Sequence, residues 1–242
     1  MVRSEHGKNT RNSDTDPLRI AELNVPGMPG LIGMTICPGK KGPSLYGGPW
    51  NRDLEADMDF IRKIWRADVM VTLLEMHEFE MLGIEAMKDL SSERLRPMQW
   101  IHIEITDGEI PDWRFERHWL QVRAQLIAAL ANGERVLVHC RGGLGRTGLV
   151  VAQLLIETGM SPGEAIKSVR AARKGAIETE DQENYVRKTK PALPLSLQHG
   201  LTIPLNEILK TESIAHDSLR AQELALTVFS MILSRWCAYP CQ

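Results

Sequence analysis

The sequence lacks an excess of charge of either sign. Its 29 Lys and Arg residues nearly balance 31 Asp and Glu residues, which leaves a formal net charge of −2 at pH 7. Nucleic acids and anionic membranes usually bind strongly basic surfaces, so this balance argues against both as general partners. Any recognition of phosphate groups must therefore be local.

Long apolar runs and the usual spacings of metal ligands are also missing. No stretch reaches the roughly 18 apolar residues of a membrane span, and the polar first residues lack the apolar core of a signal peptide. The four cysteines show no paired CxxC or HxxxH pattern; they are Cys37, Cys140, Cys237 and Cys241. We therefore expect a cytoplasmic protein with reduced thiols, no membrane span, no metal and no other cofactor.

Composition divides the chain into three parts. Residues 1–24 are polar and are predicted to form a flexible N-terminal segment, followed by an ordered domain over residues 25–190. Pro191 and Pro194 then interrupt the helical pattern. Residues 191–242 form a C-terminal extension with helical spacing of apolar residues, and we favour packing of this helix on the domain over docking to a partner or to a lipid surface.

Short apolar runs alternate with helical patterns through the domain. The runs have the length of strands and cover Leu31–Cys37, Val69–Leu74, Trp100–Ile105 and Arg135–His139. Helical patterns cover residues 53–65, 113–130, 146–157 and 162–173, and another begins after Thr179. This alternation predicts an α/β fold with a mostly parallel central sheet flanked by helices.

The most informative stretch runs from Val136 to Gly148, where a strand passes through a glycine-rich loop into a helix. Three glycines in the loop let successive N–H groups turn inward, and the helix N-terminus adds partial positive charge. These features predict a site for an oxyanion. A Walker-type nucleotide loop does not fit, because the Gly-Lys-Ser/Thr sequence is absent.

Three side chains in this stretch supply chemistry. Cys140 begins the loop, where inward N–H groups and Arg146 favour a nucleophilic thiolate that could attack phosphorus. The planar guanidinium of Arg146 can hold two phosphoryl oxygens, and Thr147 can donate a hydrogen bond to the sulfur. A turn with an inert cysteine would need all these residues to coincide. The remaining loop residues are predicted to surround the substrate phosphate; they are Arg141, Gly142, Gly143, Leu144 and Gly145.

These residues resemble a known family. His139-Cys140, five residues and then Arg146-Thr147 resemble the signature loop of the protein tyrosine phosphatase superfamily. The upstream stretch 106–112 and the downstream stretch 175–185 are similar to the kinase-associated phosphatases of the dual-specificity type. The resemblance implies that fold over roughly residues 31–190, a phosphocysteine intermediate without metal, and a phosphorylated protein substrate, with a kinase as one candidate.

The resemblance also implies roles outside the loop. Asp107 takes the position of the general acid and base, although Glu109 and Asp112 are rivals in the same segment. Gln182 takes a position that orients the hydrolytic water, while its place three residues after Thr179 fits a capping box equally well. His139 is predicted to shape the loop rather than to transfer protons.

Other functions remain open at this stage. The same superfamily includes phosphatases that act on phosphoinositides or RNA 5′-phosphates, and a non-catalytic phosphoprotein-binding module is a further alternative. The loop lacks extra lysines for a polyanionic head group, and intact Cys140, Arg146 and Asp107 argue against loss of catalysis. Cys37 is predicted to be a small apolar residue, with a disulfide to Cys140 as the less favoured interpretation.

Overall fold

The computed structural model describes residues 10–44, 47–91 and 98–190. The chain divides into two compact units, residues 1–198 and residues 199–242, and the described residues all belong to the first. The predicted helical extension over residues 191–242, including Cys237 and Cys241, lies outside the described residues.

A five-stranded sheet forms the centre of the first unit. Its strands are β1 (Ala21–Asn24), β2 (Leu31–Thr35), β5 (Val69–Thr72), β6 (Gln99–His102) and β7 (Arg135–His139); β3 (Lys41–Gly42) and β4 (Trp50–Asn51) pair separately. The spatial order is β1-β2-β7-β5-β6. Only β1 is antiparallel to its neighbour, so the predicted mostly parallel sheet is confirmed for the residues that the structure describes.

Helices flank this sheet. They are α1 (Leu54–Asp59) with a π-helical continuation (Phe60–Trp65), α2 (Met76–Leu82), α3 (Met87–Ser91), α4 (Trp113–Ala131), α5 (Gly145–Glu157), α6 (Pro162–Ala172) and α7 (Glu180–Lys188). Side chains of Asp112, Ser161 and Thr179 cap the starts of α4, α6 and α7. Among the described helices, none has both the length and the apolar character needed to cross a membrane.

The strands are buried on both faces because their side chains alternate between two apolar clusters. On β7, Val136 and Val138 belong to the cluster that includes residues of α4 to α7. Leu137 belongs to the other cluster, with residues of α1, α2 and α3. Packing on both faces therefore fixes the end of β7, from which the glycine-rich loop leaves.

The prediction that residues 1–24 form a flexible segment is wrong for the later part of this range. In β1, Leu23 is buried and pairs with Ile32 of β2, and Leu18 is also buried. Arg11 donates hydrogen bonds to the Gly48 carbonyl, so the ordered region includes residues well before the predicted boundary at 25. The sequence signal is weak because β1 needs one buried apolar side chain between polar neighbours.

Candidate active site

The glycine-rich loop joins β7 to α5, and the core holds both ends. Every residue of α5 is buried, and Cys140 is only 3% exposed. Gly143 has φ +67°, and a Cβ there would lie 2.1 Å from the Thr35 carbonyl oxygen at the end of β2. Only glycine fits such a conformation and such a close approach without displacement of the backbone. Contact with β2 therefore helps to set the shape of the loop.

The Cys140 sulfur accepts a hydrogen bond from inside the loop. The donor is the Gly143 N–H, at 3.2 Å from Sγ. The hydrogen bond predicted from Thr147 is not formed in this structure: its hydroxyl is buried and has no hydrogen-bond partner among the residues described. A backbone amide thus takes the place next to the sulfur that the sequence assigned to a side chain.

Arg146 is clamped from behind by a buried carboxylate. Its Nη1 and Nη2 lie 2.5 and 2.9 Å from the two carboxylate oxygens of Glu78, and both side chains are almost fully buried. Burial alone would lower the pKa of Arg146, but the ion pair with Glu78 raises it above its ordinary value. Burial would raise the pKa of Glu78, but hydrogen bonds and charge from Arg146 hold it below its usual range. Both groups therefore remain charged.

Backbone carbonyls complete this clamp. Nη1 of Arg146 also donates to the carbonyl oxygens of Leu73 and Ile105, at 3.2 and 3.0 Å. Glu78 accepts from the Glu75 N–H at 2.9 Å, which ties its carboxylate to the start of α2. The guanidinium is thus oriented by partners from three chain segments, as bidentate binding of an oxyanion requires.

Asp107 lies on the open side of the same guanidinium. Its Oδ1 is 2.8 Å from Nη2 of Arg146 and its Oδ2 is 3.8 Å from Nη1 of Arg141. The Asp107 side chain is 54% exposed. Glu75 holds the loop by accepting from the Asp107 N–H and the Thr106 hydroxyl, each at 3.3 Å. The Asp107 carboxylate is therefore adjacent to the guanidinium that is predicted to bind phosphate.

The two rival carboxylates have other contacts. Asp112 accepts from the N–H groups of Arg114 and Phe115 at the start of α4, and the bond from Phe115 is the main cause of its lowered pKa. The exposed Glu109 side chain lines a neighbouring groove. Within the part of the chain that the structure describes, Asp107 is the one of the three whose carboxylate pairs with Arg146.

Gln182 is buried and engaged at both ends of its amide. The capping box with Thr179 is present at the start of α7, so this interpretation is confirmed. Its Oε1 accepts from the Glu178 N–H at 3.0 Å, and its Nε2 donates to the Glu109 carbonyl at 3.2 Å. The residue therefore also joins α7 to the segment that carries Asp107.

Three charged residues around the loop were missed in the sequence because they come from distant segments. The Glu178 carboxylate accepts from the Gly145 N–H at 2.8 Å. Lys40 Nζ donates to the Arg141 carbonyl and Arg173 Nη2 to the Gly142 carbonyl, each at 3.2 Å. The loop is therefore surrounded by charges of both signs, although its own sequence shows only arginines.

His139 and Cys37 have surroundings that suit structural roles. The His139 ring is buried, with Nε2 2.7 Å from the Thr72 hydroxyl, and burial lowers its pKa to about 3. Trp100 Nε1 donates to the same hydroxyl at 3.0 Å. Burial raises the pKa of the Cys37 thiol well above its ordinary value, and Cys37 and Cys140 are both free. Neither His139 nor Cys37 is thus ionised near neutral pH.

Comparison with known proteins gives consistent relatives. Residues 72–186 match the family described as Swiss Army Knife protein, DSP-PTPase phosphatase domain. The chain is 40% identical over 95 residues to rat cyclin-dependent kinase inhibitor 3, covering 38% of this chain and 43% of the relative. It is 41% identical over 86 residues to human protein tyrosine phosphatase type IVA 3, covering 35% and 48%. The chain thus spans less than half the length of these relatives.

A solved structure shows the same fold. Kinase-associated phosphatase, with a serine in place of its catalytic cysteine, superimposes with a TM-score of 0.61 at 24% identity. The match covers 77% of this chain and 98% of that structure. Residues 72–186 therefore resemble DSP-PTPase phosphatase domains in sequence, and the chain has the fold of kinase-associated phosphatase.

Proposed function

We propose that the chain hydrolyses phosphate esters on tyrosine, serine or threonine side chains of proteins through a phosphocysteine intermediate. The observation that carries the proposal is the arrangement of Arg146, which Glu78 holds from behind while Asp107 contacts its open side. Next to it, Cys140 begins a loop whose N–H groups suit a tetrahedral anion. One site thus contains a nucleophile, an anion clamp and a proton donor.

In the first step, the Cys140 thiolate attacks phosphorus and the bond to the ester oxygen breaks. Protonated Asp107 gives its proton to that leaving oxygen, which departs as a neutral alcohol or phenol. Arg146 and the N–H groups of the loop stabilise the charge on the three equatorial oxygens. The Nη2 group that contacts Asp107 here exchanges this contact for a phosphoryl oxygen.

In the second step, water replaces the sulfur. Asp107, now a carboxylate, takes a proton from the water as its oxygen attacks phosphorus and the phosphorus–sulfur bond breaks. The Gly143 N–H and a rotated Thr147 hydroxyl stabilise the thiolate that leaves, and Gln182 orients the water. Inorganic phosphate is released and the thiolate is regenerated, so no metal or redox partner is needed.

The substrate class and location form part of this proposal. Relatives named for a cyclin-dependent kinase and for protein tyrosine phosphatase activity support a phosphorylated protein, with a kinase as a candidate. A nucleophilic thiol requires a reducing compartment, which supports a cytoplasmic location.

Phosphoinositides are a second candidate class, which one feature of the site favours. Lys40 and Arg173 donate hydrogen bonds to carbonyl groups of the loop and add positive charge beside it. A head group with several phosphates would use such charges. A panel of phosphopeptides and phosphoinositides, assayed by released phosphate, distinguishes the two classes by their kcat/KM values.

Replacement of the nucleophile tests the mechanism. Cys140→Ser should abolish hydrolysis of an aryl phosphate, because a neutral hydroxyl is a far weaker nucleophile than a thiolate, while phosphate still binds. Acid quenching of the unaltered protein during turnover should trap phosphate on Cys140, and mass spectrometry identifies the site. Undiminished turnover by Cys140→Ser would overturn the proposal.

A further inference from the structure

A groove lies directly beside the segment that carries Asp107. Its volume is about 490 Å³, and its walls come from the start of α2, the chain after β6 and the start of α4. The charged residues in its lining are Glu75, Glu104, Glu109, Asp112 and Arg114. We refer to this feature as the acidic groove.

Carboxylates dominate the charge of the acidic groove. Four carboxylates face a single guanidinium, and that guanidinium is already occupied, because Arg114 Nε lies 2.9 Å from Asp112. The lining also contains two imidazoles, those of His102 and His118. The groove therefore presents net negative potential, in contrast to the cationic loop beside it.

Exposed apolar side chains border the same region. Trp113 and Met76 are each 66% exposed, and Ile110 is 41% exposed. Met76 and Ile110 also line the groove, and Trp113 directly follows Asp112. Aromatic and methionine side chains at a surface are typical of contact sites for protein segments. The combination suits an occupant with both cationic and apolar side chains.

The acidic groove is joined to the catalytic segment through Glu75. This carboxylate lines the groove and also accepts from the Thr106 hydroxyl and the Asp107 N–H. Thr106 and Glu109, on either side of Asp107, line the groove as well. A chain that enters the groove therefore passes beside the segment that carries Asp107.

We propose that the acidic groove binds the segment of the protein substrate next to its phosphorylated residue, and that this segment carries Lys or Arg together with apolar side chains. This inference rests on the proposed phosphatase function. Charge complementarity selects the occupant, because the carboxylates repel nucleic acid, anionic lipid and acidic peptides. The cationic loop binds the phosphate while the groove binds the neighbouring positive charges.

Paired phosphopeptides test the proposal. Two peptides of equal length carry the same phosphotyrosine, one with Lys, Arg and Leu beside it and the other with Glu, Asp and Leu. We expect kcat/KM to be about tenfold higher for the basic peptide, since each exposed charge pair is worth a factor of a few. Added salt should reduce this ratio, because it screens exposed charges. An equal rate for both peptides overturns the proposal.

Variants locate the effect in the groove. Glu104→Lys, combined with Trp113→Ala, should lower kcat/KM for the basic peptide about tenfold and leave aryl phosphate hydrolysis unchanged. Glu85→Gln removes an exposed carboxylate elsewhere and serves as the matched control. An unchanged basic-peptide rate in the double variant assigns the preference to another surface and refutes the groove.

Separate readouts distinguish failure of this inference from failure of the phosphatase proposal. If aryl phosphate is hydrolysed without discrimination between the peptides, only the groove assignment fails. If no phosphate ester is hydrolysed, the phosphatase proposal fails, and binding of the two peptides to Cys140→Ser protein by fluorescence anisotropy then tests the groove directly. Sedimentation at several concentrations checks for a second copy in the groove, which would contradict the assigned occupant.

Discussion

The two halves of the site differ in how firmly the fold holds them. On one side, the Arg146 and Glu78 side chains are 1% and 2% exposed and belong to a network of short hydrogen bonds. On the other, Asp107 is 54% exposed and its loop is attached through the longer contacts with Glu75. The half proposed to bind phosphate is thus part of the core, while the half proposed to donate the proton lies on the surface.

This difference matches the tasks proposed for the two halves. In the proposed mechanism, the loop from Cys140 to Arg146 must keep its geometry through both chemical steps, because electrostatic stabilisation depends on groups that are already oriented. The proton donor must admit a bulky phosphorylated side chain and then approach its leaving oxygen. A surface segment with few contacts can move at little energetic cost, whereas the Glu78–Arg146 pair cannot.

The largest expected effect comes from the buried half. Arg146→Lys keeps the positive charge but loses the planar fork, so we expect kcat for an aryl phosphate to fall about a thousandfold. Arg141→Lys, at a partly exposed position of the same loop, is the matched control and should cost far less. Comparable losses in the two variants would contradict the distinction between a buried clamp and an exposed neighbour.

Glu78→Gln tests the contrast between the buried and the exposed half by its effect on stability. It removes the buried counter-charge of the guanidinium and leaves only the half-exposed Asp107, which we expect to lower the free energy of unfolding by about 3 kcal/mol. Urea denaturation measures this change, and Glu80→Gln, exposed on the same helix, is the control. If both variants unfold at the same urea concentration, the ion pair does not stabilise the fold.

Asp107→Asn should reduce the reaction rate without a change in stability. We expect kcat to fall about a hundredfold for a substrate with a basic leaving oxygen and much less for nitrophenyl phosphate, whose leaving group needs little protonation. The free energy of unfolding should stay unchanged because the side chain is half exposed. Glu109→Gln and Asp112→Asn test the rival acids, and a larger kinetic loss in either one reassigns the role.

For a change of one pH unit, the smallest expected effect is the one on stability. His139 has a folded-state pKa of about 3 against an ordinary value of 6.5, so between these pH values the unfolded chain binds a proton that the folded chain does not. Stability should therefore fall as pH decreases from 6.5, by about 1.4 kcal/mol per pH unit from this residue. His139→Gln should reduce the slope of unfolding free energy against pH, whereas the exposed His77→Gln should not.

The sequence predicted best what is contiguous along the chain. Strand β7, the loop and α5 follow one another in the sequence. The apolar run, the glycines and Arg146 therefore predict the oxyanion-binding loop without any tertiary information. Glu78 was missed because it lies 68 residues before Arg146 and carries no motif. The contact between Asp107 and Arg146 depends on chain folding, and only the resemblance suggested it. Strand β1 escaped detection because it buries so few apolar side chains.

The close approach of Gly143 to Thr35 has a practical consequence for trimmed recombinant forms of this chain. Thr35 ends β2, and β1 covers the outer edge of β2. A form that starts at residue 25 would lose β1 and expose an unpaired edge beside the strand that supports the loop. Unpaired edges promote association with other chains, so such a form should aggregate and lose activity together. Expression from residue 10 or earlier retains β1.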